Sequence, residues 1–202
     1  MRVIPLTILF SLLLTSTFGQ TCIHDDLSSS LRITVTKRKP GDSILRSQVP
    51  IEVTIIDKAS KKNVQVISFK ATELYHKSFT KCNCVRSYST GKNRNAIVTD
   101  TDFGDIVVAD FNFDSKEDIA IKSDEENSGT YYRFYLQGKD KLFRLDPFLT
   151  DSMSIVPTYF NKVRKTLTTY QRAGVRDAEQ IYRMDMRTNK WHLIRHRFIP
   201  PL

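Results

Sequence analysis

The sequence predicts a small all-β domain built from antiparallel hairpins, propeller-like or sandwich-like in arrangement. Three observations predict it. Apolar and polar residues alternate in several segments, two short runs are apolar throughout, and turn-forming residues punctuate the chain between them. Alternation at a period of two places one set of side chains on each face of an extended strand, and a continuous short run suits a strand covered on both faces.

The chain begins with Arg2, a largely apolar run from Val3 to Leu14, and a small polar stretch from Thr15 to Gly19. That is the order of a secretory signal, expected to be cleaved before Gln20. Residues 1–19 are therefore read as a signal peptide and residues 20–202 as a single domain. The apolar core of the signal is about a dozen residues, short of the roughly 20 needed to cross a bilayer as a helix. No later stretch is apolar for as long, so no transmembrane segment is expected. The address this implies is secreted or periplasmic.

The first alternation is Leu31, Ile33 and Val35 against Arg32, Thr34 and Thr36. It recurs in Ile51, Val53 and Ile55; in Tyr132, Phe134 and Leu136; and in Tyr182, Met184 and Met186. Ile106 to Ala109 and Ile119 to Ile121 are the two continuous runs. Turns are expected at Lys39 to Asp42, Asp57 to Asn63, Ser87 to Asn95, Asp124 to Gly129, Gly138 to Lys141 and Thr188 to Lys190. The acidic run Asp124-Glu125-Glu126 reads as a solvated loop, and Ser87 to Asn95 as a mobile one. One short helix is expected in Pro157 to Thr166. Tyr132 and Phe134 share a face assigned to the core, and Tyr131, Arg133 and Tyr135 share the opposite one.

Without Arg2 the chain keeps 30 basic residues against 22 acidic ones, a net charge of about +8. The excess lies late: from Asn161 onward ten Lys or Arg face only Asp177, Glu179 and Asp185. A basic face attracts anionic partners of several kinds, and charge alone does not select among them. There are three cysteines, Cys22, Cys82 and Cys84. Export permits a disulfide from Cys22 to either Cys82 or Cys84. A zinc site at Cys82, Cys84 and His76 has little support, because CxC lacks a second ligand pair.

One motif carries chemistry. Asp110-Phe-Asn112-Phe-Asp114-Ser-Lys-Glu-Asp118 sets oxygen side chains at positions 1, 3, 5 and 9, between the two apolar runs. The odd positions turn inward in a tight loop while Phe111 and Phe113 turn toward the core. Ca²⁺ takes six to eight oxygens, and the backbone carbonyl of Lys116 is placed to supply one at position 7. The expected ligands are Asp110, Asn112, Asp114, Lys116 and Asp118. Ser115 stands where such loops place Gly, at a conformational cost of about 1 kcal/mol. The plain alternative is a solvated Asp/Asn turn. No nucleophile elbow, HExxH, P-loop or GxGxxG occurs, so the protein is read as a binding protein and not an enzyme. Nucleic acid is not expected as the partner.

The stretches GDIVVADFNFDSKEDIAI, TYYRFYLQGKDKLFRL and TLTTYQRAGVRDAEQIYRMDMRTNKWHLIRHRF resemble a bacterial family of calcium-binding, propeller-like (FG-GAP-like) periplasmic proteins. That family includes immunity proteins of lysozyme-inhibitor type, which act against peptidoglycan-cleaving effectors. The resemblance spans roughly Val49 to Phe198. It implies calcium at the 110–118 loop and a peptidoglycan-cleaving enzyme as partner. In such inhibitors a loop near the last strands enters the target's cleft, and the matching residues here are Tyr170, Arg172, Gly174 and Arg176. Gln171, Arg172 and Ala173 replace the small hydroxyl residues common there. The second reading is an envelope or surface adhesion scaffold in which calcium is purely structural.

Overall fold

A computed structural model describes residues 20–38, 48–75, 77–94, 98 and 101–200. The signal-peptide reading of residues 1–19, the turn at 39–42, His76 and Asn95 lie outside the described residues.

The chain is all-β and forms three sheets. The first is a meander of β1 (Gln20–His24), β2 (Leu31–Lys37), β3 (Val49–Asp57) and β4 (Asn63–Ala71). The second contains β5 (Arg86–Ser87), β6 (Ile106–Ala109), β7 (Asp118–Glu126), β8 (Gly129–Gln137) and β9 (Phe143–Leu145). The third is β10 (Tyr159–Asn161), β11 (Thr166–Ala173), β12 (Arg176–Asp185) and β13 (Lys190–Ile199). Every neighbouring pair is antiparallel except the short β5–β6 pair.

The middle sheet is packed on both faces, which explains its continuous apolar runs. Ile106, Val108, Ile119, Ile121, Tyr135 and Phe143 join a core shared with Ile33, Val53 and Ile55 of the first sheet. Val107, Ala109, Ala120, Tyr132 and Phe134 join a second core with Leu167, Tyr182 and Trp191 of the third sheet. Successive side chains of a strand point to opposite faces, so each run alternates between two cores. The face of Tyr131, Arg133 and Tyr135 is therefore covered as well. Tyr135 is 7% exposed, and the Arg133 guanidinium sits 5.0 Å from the Phe69 ring centre.

Three expectations need correction. Pro157 to Thr166 is not helical: Phe160 pairs with Leu167 across a turn, closed by the Arg164 N–H on Asn161 Oδ1 at 2.9 Å and by Lys165 at φ 54°. An asparagine that bonds its own turn competes with helix formation at that point. The single helical turn among the described residues lies earlier, at Phe148–Met153, and is of π type. It is anchored by Asp146 Oδ1, which accepts the Leu149 N–H, and it buries Leu149 and Met153.

The acidic run is not a solvated loop either, since β7 continues through it and Glu125 is 3% exposed. Lys122, 2% exposed, explains why: its ammonium lies 2.9 Å from Asp102, 3.1 Å from Glu125 and 3.5 Å from Asp105. Burial of Lys122 lowers its pKa, and the three carboxylates outweigh that and raise it. Finally, the stretch from Ser87 to Arg94 is tied down. Ser87 Oγ donates to the Leu27 carbonyl at 2.5 Å, and Lys92 and Arg94 both pair with Asp26.

Cys22 is bonded to Cys82, with Cα atoms 5.2 Å apart, and Cys84 is free. The disulfide fastens the edge strand β1 to the segment before β5. It also removes Cys82 from any zinc site.

Candidate functional site

The 110–118 loop joins β6 to β7, and the two core strands fix its ends. Phe111 and Phe113 are buried as expected, the first edge-on to Phe134 at 5.0 Å and the second 6.2 Å from Trp191. Their burial turns the intervening oxygens outward and toward one another. Asp110 accepts the Asp114 and Ser115 N–H groups at 2.9 and 3.0 Å, Asn112 Oδ1 accepts the Asp114 N–H at 3.1 Å, and Asp114 accepts the Lys116 N–H at 2.9 Å. Ser115 adopts φ 68°, the left-handed conformation its position demands.

Asp118 differs from the others. It is fully buried and accepts the Phe111 N–H at 2.8 Å, the Asn112 N–H at 3.4 Å and the Gln137 N–H at 2.8 Å. Burial pushes its carboxyl up to about 7, against the pull of those N–H groups. It bolts the loop to β8. Lys116 contributes its ammonium, 2.6 Å from Asp114 Oδ2, alongside its backbone N–H.

The donors are all oxygen, which suits a hard cation in kind. Among the described residues, however, no three His, Cys, Asp or Glu side chains are gathered as a metal site. A cation here would lean on Asp110, Asn112 and Asp114, and would compete with Lys116 for Asp114.

The second region is the β11–β12 hairpin. Ala173 pairs with Arg176, leaving Gly174 and Val175 as a two-residue turn. Gly174 has φ +67°, and a Cβ placed on it would meet nothing within 4 Å, so glycine serves the backbone here and not packing. Gly174 takes a positive φ and Val175 does not, which is the II′ pattern that matches strand twist. Val175 is 86% exposed.

Tyr170, Arg172, Gly174 and Arg176 all line one cleft of about 660 Å³. Tyr170 donates to Glu179 at 3.1 Å, and Glu179 is also held by Arg197 at 2.6 and 3.1 Å. The Arg197 hydrogen bonds outweigh burial and keep the Glu179 carboxyl below its ordinary range. Arg172 and Arg176 make no ion pair among the described residues.

No family model and no curated protein matches this chain. A solved structure described as a Xanthomonas type IV secretion system related protein is similar to it in fold. The two are 18% identical with a TM-score of 0.54, over 88% of this chain and 81% of that one. At that identity the likeness establishes the fold alone.

The cleft is also lined by residues that no sequence pattern singles out: Arg86 on β5, Phe103 before β6 and Tyr159 on β10. Arg86 lies 4.9 Å from the Phe103 ring centre and donates to the Tyr88 hydroxyl at 3.1 Å. Tyr159, 61% exposed, stands edge-on to Tyr170 at 6.2 Å. Nothing in their local sequence signals this: Arg86 and Phe103 meet the hairpin only when the middle and third sheets pack, and Tyr159 reaches it through the β10–β11 pairing of the third sheet. No helix among the described residues is long and apolar enough to cross a membrane.

Proposed function

We propose that this protein is an exported binding protein that inhibits a peptidoglycan-cleaving, lysozyme-like enzyme, with the β11–β12 hairpin as the element that enters its target. The observation that carries this is the turn itself. An exposed Val175 is flanked by Arg172 and Arg176, two guanidinium groups without carboxylate partners among the described residues. Enzymes that cleave glycosidic bonds commonly work with paired carboxylates, and arginine is the side chain suited to paired, charge-assisted bonds with them. The sequence resemblance and the secretion-system setting of the fold neighbour both support an envelope address. The protein acts by occupying a site, with no chemistry of its own.

The test is a peptidoglycan-clearing assay with several muramidases and the purified mature chain. Inhibition is expected, weakened at least tenfold by Arg176→Glu. Full inhibition by that variant clears the hairpin, and no inhibition of any muramidase favours the scaffold reading.

That second reading is favoured by the 110–118 loop, which is built to brace a sheet. In either case we propose that calcium occupies the loop through Asp110, Asn112 and Asp114. Binding to the native state alone raises stability by mass action, by about 2.7 kcal/mol at a hundredfold excess over Kd. Chelator-stripped protein should therefore melt higher in millimolar Ca²⁺, and Asp114→Ala should abolish the increment. An unchanged melting temperature rejects the calcium site.

A further inference from the structure

We infer that the cleft between β5, β10 and the β11–β12 hairpin is a binding site for a carboxylate-bearing glycan. The inference rests on the envelope address of the proposed function, but not on inhibition.

The charge of the cleft sets the sign of the ligand. Arg86, Arg172 and Arg176 line it, against the single carboxylate of Asp177 among the described residues. None of the three arginines makes an ion pair among those residues. Arg86 is moreover preset: it lies over Phe103, itself 3% exposed, and is tethered to Tyr88, whose hydroxyl donates to the Pro157 carbonyl at 3.3 Å. A guanidinium fixed by a ring and a hydroxyl loses less freedom when it takes a carboxylate.

The aromatic arrangement sets the class. Tyr159 presents a large open surface, and its ring stands at 83° to that of Tyr170. Two rings at right angles form no slot for sandwiching a flat base. One open tyrosine ring does suit the apolar C–H face of a pyranose, with Gln171 and Thr158 also lining the cleft for its hydroxyl or amide groups. The volume, about 660 Å³, falls in the usual range for sites that enclose small ligands. A short oligosaccharide fits that space. A glycan held there lies directly beside the hairpin turn, so the protein would be stationed on the polymer that its proposed target cleaves.

The test needs no hydrolase, so its failure is distinct from a failure of inhibition. Calorimetric titration of the intact protein is run with a peptide-free tetrasaccharide of alternating N-acetylglucosamine and N-acetylmuramic acid. Chitotetraose, which lacks the carboxylates, and hexaglutamate, which lacks the sugar, are the comparison probes. The expected result is binding of the carboxylated glycan at least tenfold tighter than either comparison, lost at least tenfold in Tyr159→Ala and in Arg176→Gln. Both positions are exposed, and an unchanged melting temperature of each variant shows that the fold is kept. Equal binding of chitotetraose, tighter binding of hexaglutamate, absence of binding at millimolar glycan, or full binding by Tyr159→Ala overturns the inference.

Discussion

The middle sheet and the third sheet use charge in opposite ways. In the middle sheet, Lys122 is buried among Asp102, Asp105 and Glu125, and Glu125 is further held by the Ser78 hydroxyl and the Tyr75 N–H. In the third sheet, Arg172 and Arg176 project from a hairpin without a carboxylate partner among the described residues, and residues 192–198 of β13 are exposed throughout. A buried charge is tolerable only when the fold supplies every partner. An exposed arginine needs none, because water solvates it. Charges of the first kind hold this molecule together, and charges of the second kind are available to something outside it.

The largest break in that comparison is Lys122→Met, which keeps roughly the side-chain volume and deletes the charge. Three carboxylates then face each other without a cation, and removing one partner of a buried ionic group costs about 3–5 kcal/mol. Urea unfolding should show that loss. A loss below about 1 kcal/mol would mean that water already reaches the cluster.

The next effect is on pH. Burial raises the Asp105 carboxyl from 3.8 to about 7, against the pull of Lys122 and the Phe79 N–H. The native state therefore holds a proton that the unfolded chain releases above pH 3.8. Its contribution is favourable in acid and is lost as pH rises through about 7. Unfolding midpoints should fall between pH 5 and 7 from this group, and Asp105→Asn should flatten that part of the slope. An unchanged slope assigns it elsewhere.

The smallest effect sharpens the comparison from the other side. Arg172→Ala and Arg176→Ala, alone or together, should leave stability within about 0.5 kcal/mol of the parent, as surface changes usually do. A loss above 1 kcal/mol would show that these arginines belong to the fold.

The middle of this molecule is legible in the sequence, and its assembly is much less so. β6, β7 and β8 announce themselves because each carries a strand-length pattern, and the positive φ at Ser115 follows from its place in the loop. The hairpin residues Tyr170, Arg172, Gly174 and Arg176, grouped by resemblance, all line one cleft. What escapes is set by partners distant along the chain. Glu125 looks solvated until Lys122 and Asp105 are placed against it, and Arg86 and Tyr159 look unrelated until two sheets meet. The turn at Phe148–Met153 is six residues long, too short to show a helical period.

The disulfide raises a question of choice among thiols. Cys22 closes a loop of 60 residues with Cys82, and closing it with Cys84 would lengthen that loop by two. Loop-closure entropy separates the two by less than about 0.1 kcal/mol, so an unfolded chain has almost no preference. The selection is made by the folded body. The Cys84 carbonyl accepts the Asp105 N–H at 2.6 Å, and the carbonyl lies within 2.4 Å of where a Cβ on Gly104 would sit, so Cys84 is committed to the middle sheet. The native pairing is therefore favoured once the middle sheet is in place. Chains oxidised before the sheet forms have three pairings open to them and depend on thiol exchange to reach the native one. Cys84→Ser removes both non-native pairings and leaves the native one.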